Sequence, residues 1–158
     1  MRKIDIFTHI FPEPYVSRMQ EVAPNYKDTG KRVRGVPMLV DLDVRFRVMD
    51  AFEGYQQVLS LATPPLEAYA RPSDAADLAR RANDGLATLV DRHPDRFPGF
   101  VASLPLNDVD AAMREAERAI EDLGARGVQV FTNVDGASIA APRFLPLFEA
   151  MAGYDLPL

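Results

Sequence analysis

The sequence contains no cysteine. That excludes a disulfide framework and any thiolate metal site, and it fits a reducing compartment. Histidine is almost as scarce, with His9 and His93 the only two in 158 residues. No Gly-x-Gly-x-x-Gly follows the first predicted strand, and no phosphate loop of the Gly-Lys-Ser type occurs. Both absences weigh against nucleotide and dinucleotide binding. No apolar run approaches the roughly 20 residues of a membrane span. No apolar signal region follows Met1-Arg2-Lys3, and the expected location is cytoplasmic. The formal net charge of −5 argues against a broad basic surface for nucleic acid.

What is present is an alternation of strand-like and helix-like segments. Lys3–Phe7 is Ile-rich and reads as the first strand, with Pro12 ending any ladder beyond it. Strict alternation then aims Asp5, Phe7 and His9 to one side, with Asp5 about 13 Å along the strand from His9. A histidine at the exit of a first strand is where a parallel α/β enzyme keeps a metal or an acid–base group. The plainer reading is a packed or solvated loop histidine, since a metal needs several converging ligands.

Residues 13–40 mix prolines, glycines and charges and read as an insertion or lid loop, with a turn or two of helix near Tyr15–Met19. Lys31, Arg32 and Arg34 form a small basic cluster in it. Asp41–Phe52 reads as a helix capped by Asp41, with Leu42, Phe46, Met49 and Phe52 as its apolar stripe. Tyr55–Ala62 is a second buried strand. Ser73–Arg92 is a long helix capped by Ser73, with Leu78, Ala82, Leu86, Leu89 and Val90 on one face. His93 follows as a helix-end cation rather than a ligand. Phe97–Leu104 is a third strand.

A helix starts near Asn107, with Asp110 three residues on in an arrangement close to a capping box. Val109, Ala112, Met113, Ala116, Ile120 and Leu123 are its stripe, and Gly124 ends it. Gly127–Thr132 is a fourth strand, followed by a loop at Asn133–Gly136. Pro142–Met151 is a helix burying Leu145, Leu147, Phe148 and Met151. Leu156–Leu158 begins a fifth strand. Ser60, Thr63, Ser103, Thr132 and Asn133 fall near strand ends, where capping or turn formation is their default role.

This order implies a parallel sheet with right-handed helical crossovers, either an open doubly wound sheet or part of a closed barrel. The stretch Asp5-Ile6-Phe7-Thr8-His9-Ile10-Phe11-Pro12 resembles the opening motif Asp-x-His-x-His-x-x-Pro of the amidohydrolase-related (amidohydrolase 2) family, which includes aminocarboxymuconate-semialdehyde decarboxylase. Further blocks resemble the family in order: Met49-Asp50, Val58-Leu59-Ser60, Asn83-Asp84, Pro94-Asp95-Arg96-Phe97, Leu104-Pro105-Leu106, Gly127-Val128-Gln129-Val130 and Leu156-Pro157-Leu158. Phe7 stands where the family has its first histidine.

The resemblance implies an α/β fold: the N-terminal half of a (β/α)8 TIM-like barrel, with four βα units plus the start of a fifth strand. Residues 1–158 form one part of a single barrel domain. It implies a divalent metal, zinc by family habit, with His9 as ligand and Asp5 as a core or supporting group. It also implies a substrate-carboxylate arginine, assigned to Arg34 with Arg32 and Arg45 as alternatives. A barrel of this kind typically needs about 250 residues. The expected partners are therefore a small carboxylate substrate and either a second copy or a missing C-terminal half. Three functions follow: a metal-dependent decarboxylase or hydrolase, a metal-free small-molecule binder, or an inactive half-barrel that needs a partner chain.

Overall fold

The structure, a computed structural model, describes residues 1–24, 31 and 35–158. Strand β1 runs Lys3–Ile10, and helix α1 covers Glu13–Val22. A 3-10 turn at Pro37–Leu39 leads into α2, Leu42–Met49. Strand β2 is Tyr55–Leu61 and α3 is Pro72–Arg92. Residues 99–103 form one extended stretch whose halves, β3 (Gly99–Phe100) and β4 (Ala102–Ser103), pair with different neighbours. Helix α4 is Val109–Glu121, and β5 is Val128–Gln129. A hairpin of β6 (Asn133–Val134) and β7 (Ala137–Ser138) precedes α5, Leu145–Tyr154.

β1 pairs with β2, β2 with β3, and β4 with β5, all parallel. Leu156–Leu158 lies beside β5 as expected, with the Val128 amide donating to Pro157 O at 3.2 Å. Gly127 is required for that approach: a Cβ there would sit 2.6 Å from Pro157 O. Strand and helix order, parallel pairing and this fifth segment are those of the first half of a (β/α)8 barrel.

The helices bury one face against the sheet and against each other. On α3, Ala75, Leu78, Ala79, Ala82 and Leu86 are fully buried, at the three- and four-residue spacing of one helical stripe. The alanines of this stripe let α1 dock closely, and Tyr15 and Met19 join Ala75, Leu78, Ala79 and Ala82 in one cluster with Phe11 and Leu61. Residues 13–22 of the segment read as a loop are therefore a packed helix. Pro12 presses against α3 at Gly85, where a Cβ would meet the proline ring at 2.4 Å.

Several sequence expectations shift. Asp41 caps α2 as expected, accepting from Val44 N at 3.0 Å. Ser73 does not cap α3: the helix already begins at Pro72, whose missing N–H suits the first turn. The cap of α4 is Asp108, which accepts from Ala111 N at 2.9 Å. Phe52 lies beyond α2 and is exposed, while Arg45 takes the buried place. On α5, Leu147 and Met151 are buried but Leu145 and Phe148 are not. The loop expected at Asn133–Gly136 is strand β6 followed by the two-residue turn of the β6–β7 hairpin. Asp135 and Gly136 both have positive φ (51° and 79°), as a tight two-residue hairpin turn demands.

Candidate active site

β1 carries its residues toward the C-terminal ends of the strands, where His9 sits half-buried beside Ser60 of β2. The expected common direction of Asp5, Phe7 and His9 does not hold. Asp5 pairs with Gln57 and Thr8 with Leu59, so β1 spends one more residue than β2 over this interval. Such a bulge reverses the alternation. Gln57 and Ser60 are three apart on a regular strand and face opposite sides, so Asp5 and His9 do too. The reversal falls before Phe7, since the Phe7 and His9 rings still meet edge to face, 4.7 Å between centroids.

Asp5 is held elsewhere. It accepts from Phe7 N at 3.0 Å and from the Tyr55 hydroxyl at 2.7 Å. These two hydrogen bonds, the backbone one first, hold its carboxyl below the usual carboxylate range. It makes no hydrogen bond to His9 and reaches it through its charge alone.

His9 is placed from three directions. Its Nδ1 lies 2.7 Å from Ser60 Oγ, and Ser60 Oγ donates to Thr8 O at 2.8 Å. Its backbone carbonyl accepts from Arg45 Nη2. Arg45 also donates to Gln57 Oε1 at 2.6 Å and to Met38 O at 3.0 Å. This guanidinium is buried without a carboxylate partner among the described residues, and burial lowers its pKa. Burial, and then the Arg45 charge, also lower the His9 pKa, against a smaller opposing effect of Asp5. The imidazole is thereby biased to its neutral form.

The strand ends around His9 are tied together. Asn83 of α3 is fully buried; its Oδ1 accepts from Ser103 N at 2.9 Å and its Nδ2 donates to Ser103 O at 3.0 Å. The same Nδ2 donates to Glu115 of α4 at 2.7 Å, and Arg118 binds Glu115 and Asp84. The Asn83-Asp84 pair therefore fixes α3, α4 and β4 in register. Gln129 Nε2 reaches from β5 to Leu61 O at 3.2 Å.

A small recess at this mouth is bounded by Leu61, Glu67, Ser103, Gln129 and Phe131. Glu67 Oε1 is buried there with no hydrogen-bond partner among the described residues. Burial first, and then the negative charge of Asp135 on the hairpin, push the Glu67 carboxyl up. Sequence reasoning passed over Glu67, although an acid right after a strand-ending Pro64-Pro65-Leu66 was a usable signal.

The other candidates divide. Ser60 and Ser103 are at the mouth as expected, whereas Thr132 and Asn133 are exposed on the hairpin. His93 lies at the end of α3 as expected, with its ring against Phe46 at 5.0 Å and Phe97 at 6.2 Å. Arg34 and Arg32 fall outside the described residues. Arg45, the third choice, is committed to holding β1, β2 and the turn before α2. Among the described residues no three His, Asp or Glu side chains gather as a metal site. The described chain supplies one imidazole toward such a site and does not fit a metal by itself.

A family model described as Amidohydrolase matches residues 4–158. The gamma-resorcylate decarboxylase of Rhodococcus jostii (strain RHA1) is 40% identical over 75% of this chain and 39% of that protein. The 2-amino-3-carboxymuconate-6-semialdehyde decarboxylase of Dictyostelium discoideum is 31% identical, over 93% of this chain and 45% of its own length. A dihydroxybenzoic acid decarboxylase from Polaromonas sp. JS666, solved with bound manganese and the inhibitor 2-nitroresorcinol, superposes with a TM-score of 0.78 at 30% identity, covering 99% of this chain and 48% of that one. The chain thus spans less than half the length of these relatives.

Proposed function

The chain belongs to the amidohydrolase family, and from that premise we propose that it provides half of a decarboxylase for hydroxylated aromatic carboxylates. The names of its relatives support carboxy-lyase over hydrolase chemistry. The observation in this chain that carries the reading is His9. It is the second histidine of the family motif, held at the strand mouth by Ser60 and Arg45 and biased to its neutral form first by burial and then by the Arg45 charge. We assign His9 as one ligand of a divalent metal, the others lying outside the described residues. Manganese, present in the Polaromonas enzyme, is a better candidate than the zinc expected from sequence.

Decarboxylation breaks the bond between ring carbon and carboxylate, releases carbon dioxide and leaves the bonding electron pair on the ring carbon, which must then take up one proton. This chain's part is to hold one face of the mouth. His9 offers an acceptor nitrogen, and Ser103, Gln129 and Glu67 offer polar edges. The substrate-carboxylate arginine is assigned to Arg34.

Phe7 favours a second reading, a relative that binds a small carboxylate without turnover. One chimera separates the two: residues 1–158 replace the matching half of the Polaromonas enzyme, assayed for manganese-dependent loss of dihydroxybenzoate. Turnover abolished by His9→Ala and by chelator supports the decarboxylase. Binding without turnover in a folded chimera supports the second reading. Turnover indifferent to His9→Ala overturns the role of His9.

The edge of β1 points to how the half is completed. Ile4, Ile6 and Phe7 are 46%, 76% and 79% exposed, and β1 has a pairing partner on one side only among the described residues. An apolar, half-paired edge is a template for another strand. We propose that either a C-terminal half or a second copy covers it.

A further inference from the structure

Two hydrogen bonds decide what His9 shows to the mouth. A serine hydroxyl has one proton and can donate it once. Ser60 Oγ lies 2.8 Å from Thr8 O, a carbonyl that can only accept. Ser60 Oγ also lies 2.7 Å from His9 Nδ1. If the hydroxyl proton goes to the carbonyl, the contact to Nδ1 is favourable only when Nδ1 carries the hydrogen. The opposite tautomer would set two lone pairs against each other at 2.7 Å, or leave the buried Thr8 carbonyl without its Ser60 donor. His9 Nε2 has no protein partner among the described residues.

We infer that Ser60 fixes His9 as the Nδ1–H tautomer, so that the ring presents an unshared electron pair at Nε2 to the strand mouth. Ser60 is a positioning residue, acting through His9. The bulge in β1 is what makes this possible, because it pairs His9 with Ser60 on one face. A regular β1 in the Asp5 register would pair His9 with Leu61, which has no hydroxyl. The ligand class follows. The mouth at His9 accepts an electron-pair acceptor, either a metal ion or the O–H of a phenol or carboxylic acid. It disfavours a bare carboxylate oxygen at that nitrogen.

The inference concerns the site on which the proposed function rests, but its test needs neither metal nor turnover. The chain is labelled with 15N-histidine and its long-range 1H–15N correlations are recorded in metal-free buffer above the His9 titration. His93→Gln assigns the two rings. Free histidine in water favours Nε2–H, so the expected Nδ1–H pattern for His9 is a departure in itself. Ser60→Thr keeps the hydroxyl and should keep the pattern. Ser60→Ala should shift His9 to mainly Nε2–H. A wild-type ring in the Nε2–H form overturns the inference, and needs no variant to fold. So does an unchanged Nδ1–H pattern in folded Ser60→Ala. A silent chimera beside an Nδ1–H His9 would sink the decarboxylase reading and leave this one standing.

Discussion

The rings of Phe7 and His9 meet edge to face at 4.7 Å on the same side of β1. The family motif places a histidine at each of these two positions, and this chain keeps the direction while losing one nitrogen donor. On the reading proposed above, one ligand of the metal site is replaced here by an apolar ring.

Asn83→Ala should be severely destabilising. It removes the side chain that donates to Ser103 O and Glu115 and accepts from Ser103 N, all buried. Orphaned buried polar groups cost about 1–3 kcal/mol each, so a loss of at least about 2 kcal/mol is expected. Urea unfolding measures it, and Asn83→Asp should also be costly because a carboxylate cannot donate to Ser103 O.

Gly85→Ala sets two effects against each other. Alanine gains about 1 kcal/mol of helix propensity over glycine. The added Cβ would lie 2.4 Å from Pro12 Cβ, which forces β1's exit away from α3. Overpacking typically costs about 1–3 kcal/mol, and the clash is expected to win. A lower melting temperature shows it; a higher one would mean that Pro12 moves freely.

Glu67 gives a pH signature. Its folded pKa is raised above the ordinary 4.5, so the folded state holds the proton more tightly than the unfolded one. Its contribution to stability is then fully present below about 4.5 and is lost as pH rises through the folded value. Glu67→Gln should raise the melting temperature at pH 7 and change it little at pH 4. Equal effects at both pH values would contradict the burial argument.

The apolar edge of β1 predicts self-association. Ile6→Lys places a charge on an exposed, half-paired strand, a device that suppresses edge pairing. Light scattering should show a smaller assembly for the variant than for the wild type. A wild-type chain that is already a monomer at high concentration would remove the need for a covering partner.

The order of strands and helices was legible in the sequence because long stripes such as Leu78, Ala82 and Leu86 on α3 override local ambiguity. The resemblance named the family from short blocks around His9, Asn83 and Gly127. What was not legible depends on contacts distant in sequence. The bulge that separates Asp5 from His9 exists only against β2, and nothing in Lys3–Ile10 alone announces it. Arg45 stood only as an alternative substrate-carboxylate arginine, because its partners Gln57, Met38 O and His9 O are brought together only by folding. The hairpin at Asp135-Gly136 was hidden by its flanks: strands of two residues show no alternation.

The central claim is that β1 aims positions 7 and 9 at one metal. Phe7→His in the chimeric barrel tests it, with manganese affinity read by electron paramagnetic resonance. The account predicts binding at least about tenfold tighter than with Phe7, or about 1.4 kcal/mol, and lost again on His9→Ala. Unchanged manganese affinity in a folded Phe7→His chimera would contradict it.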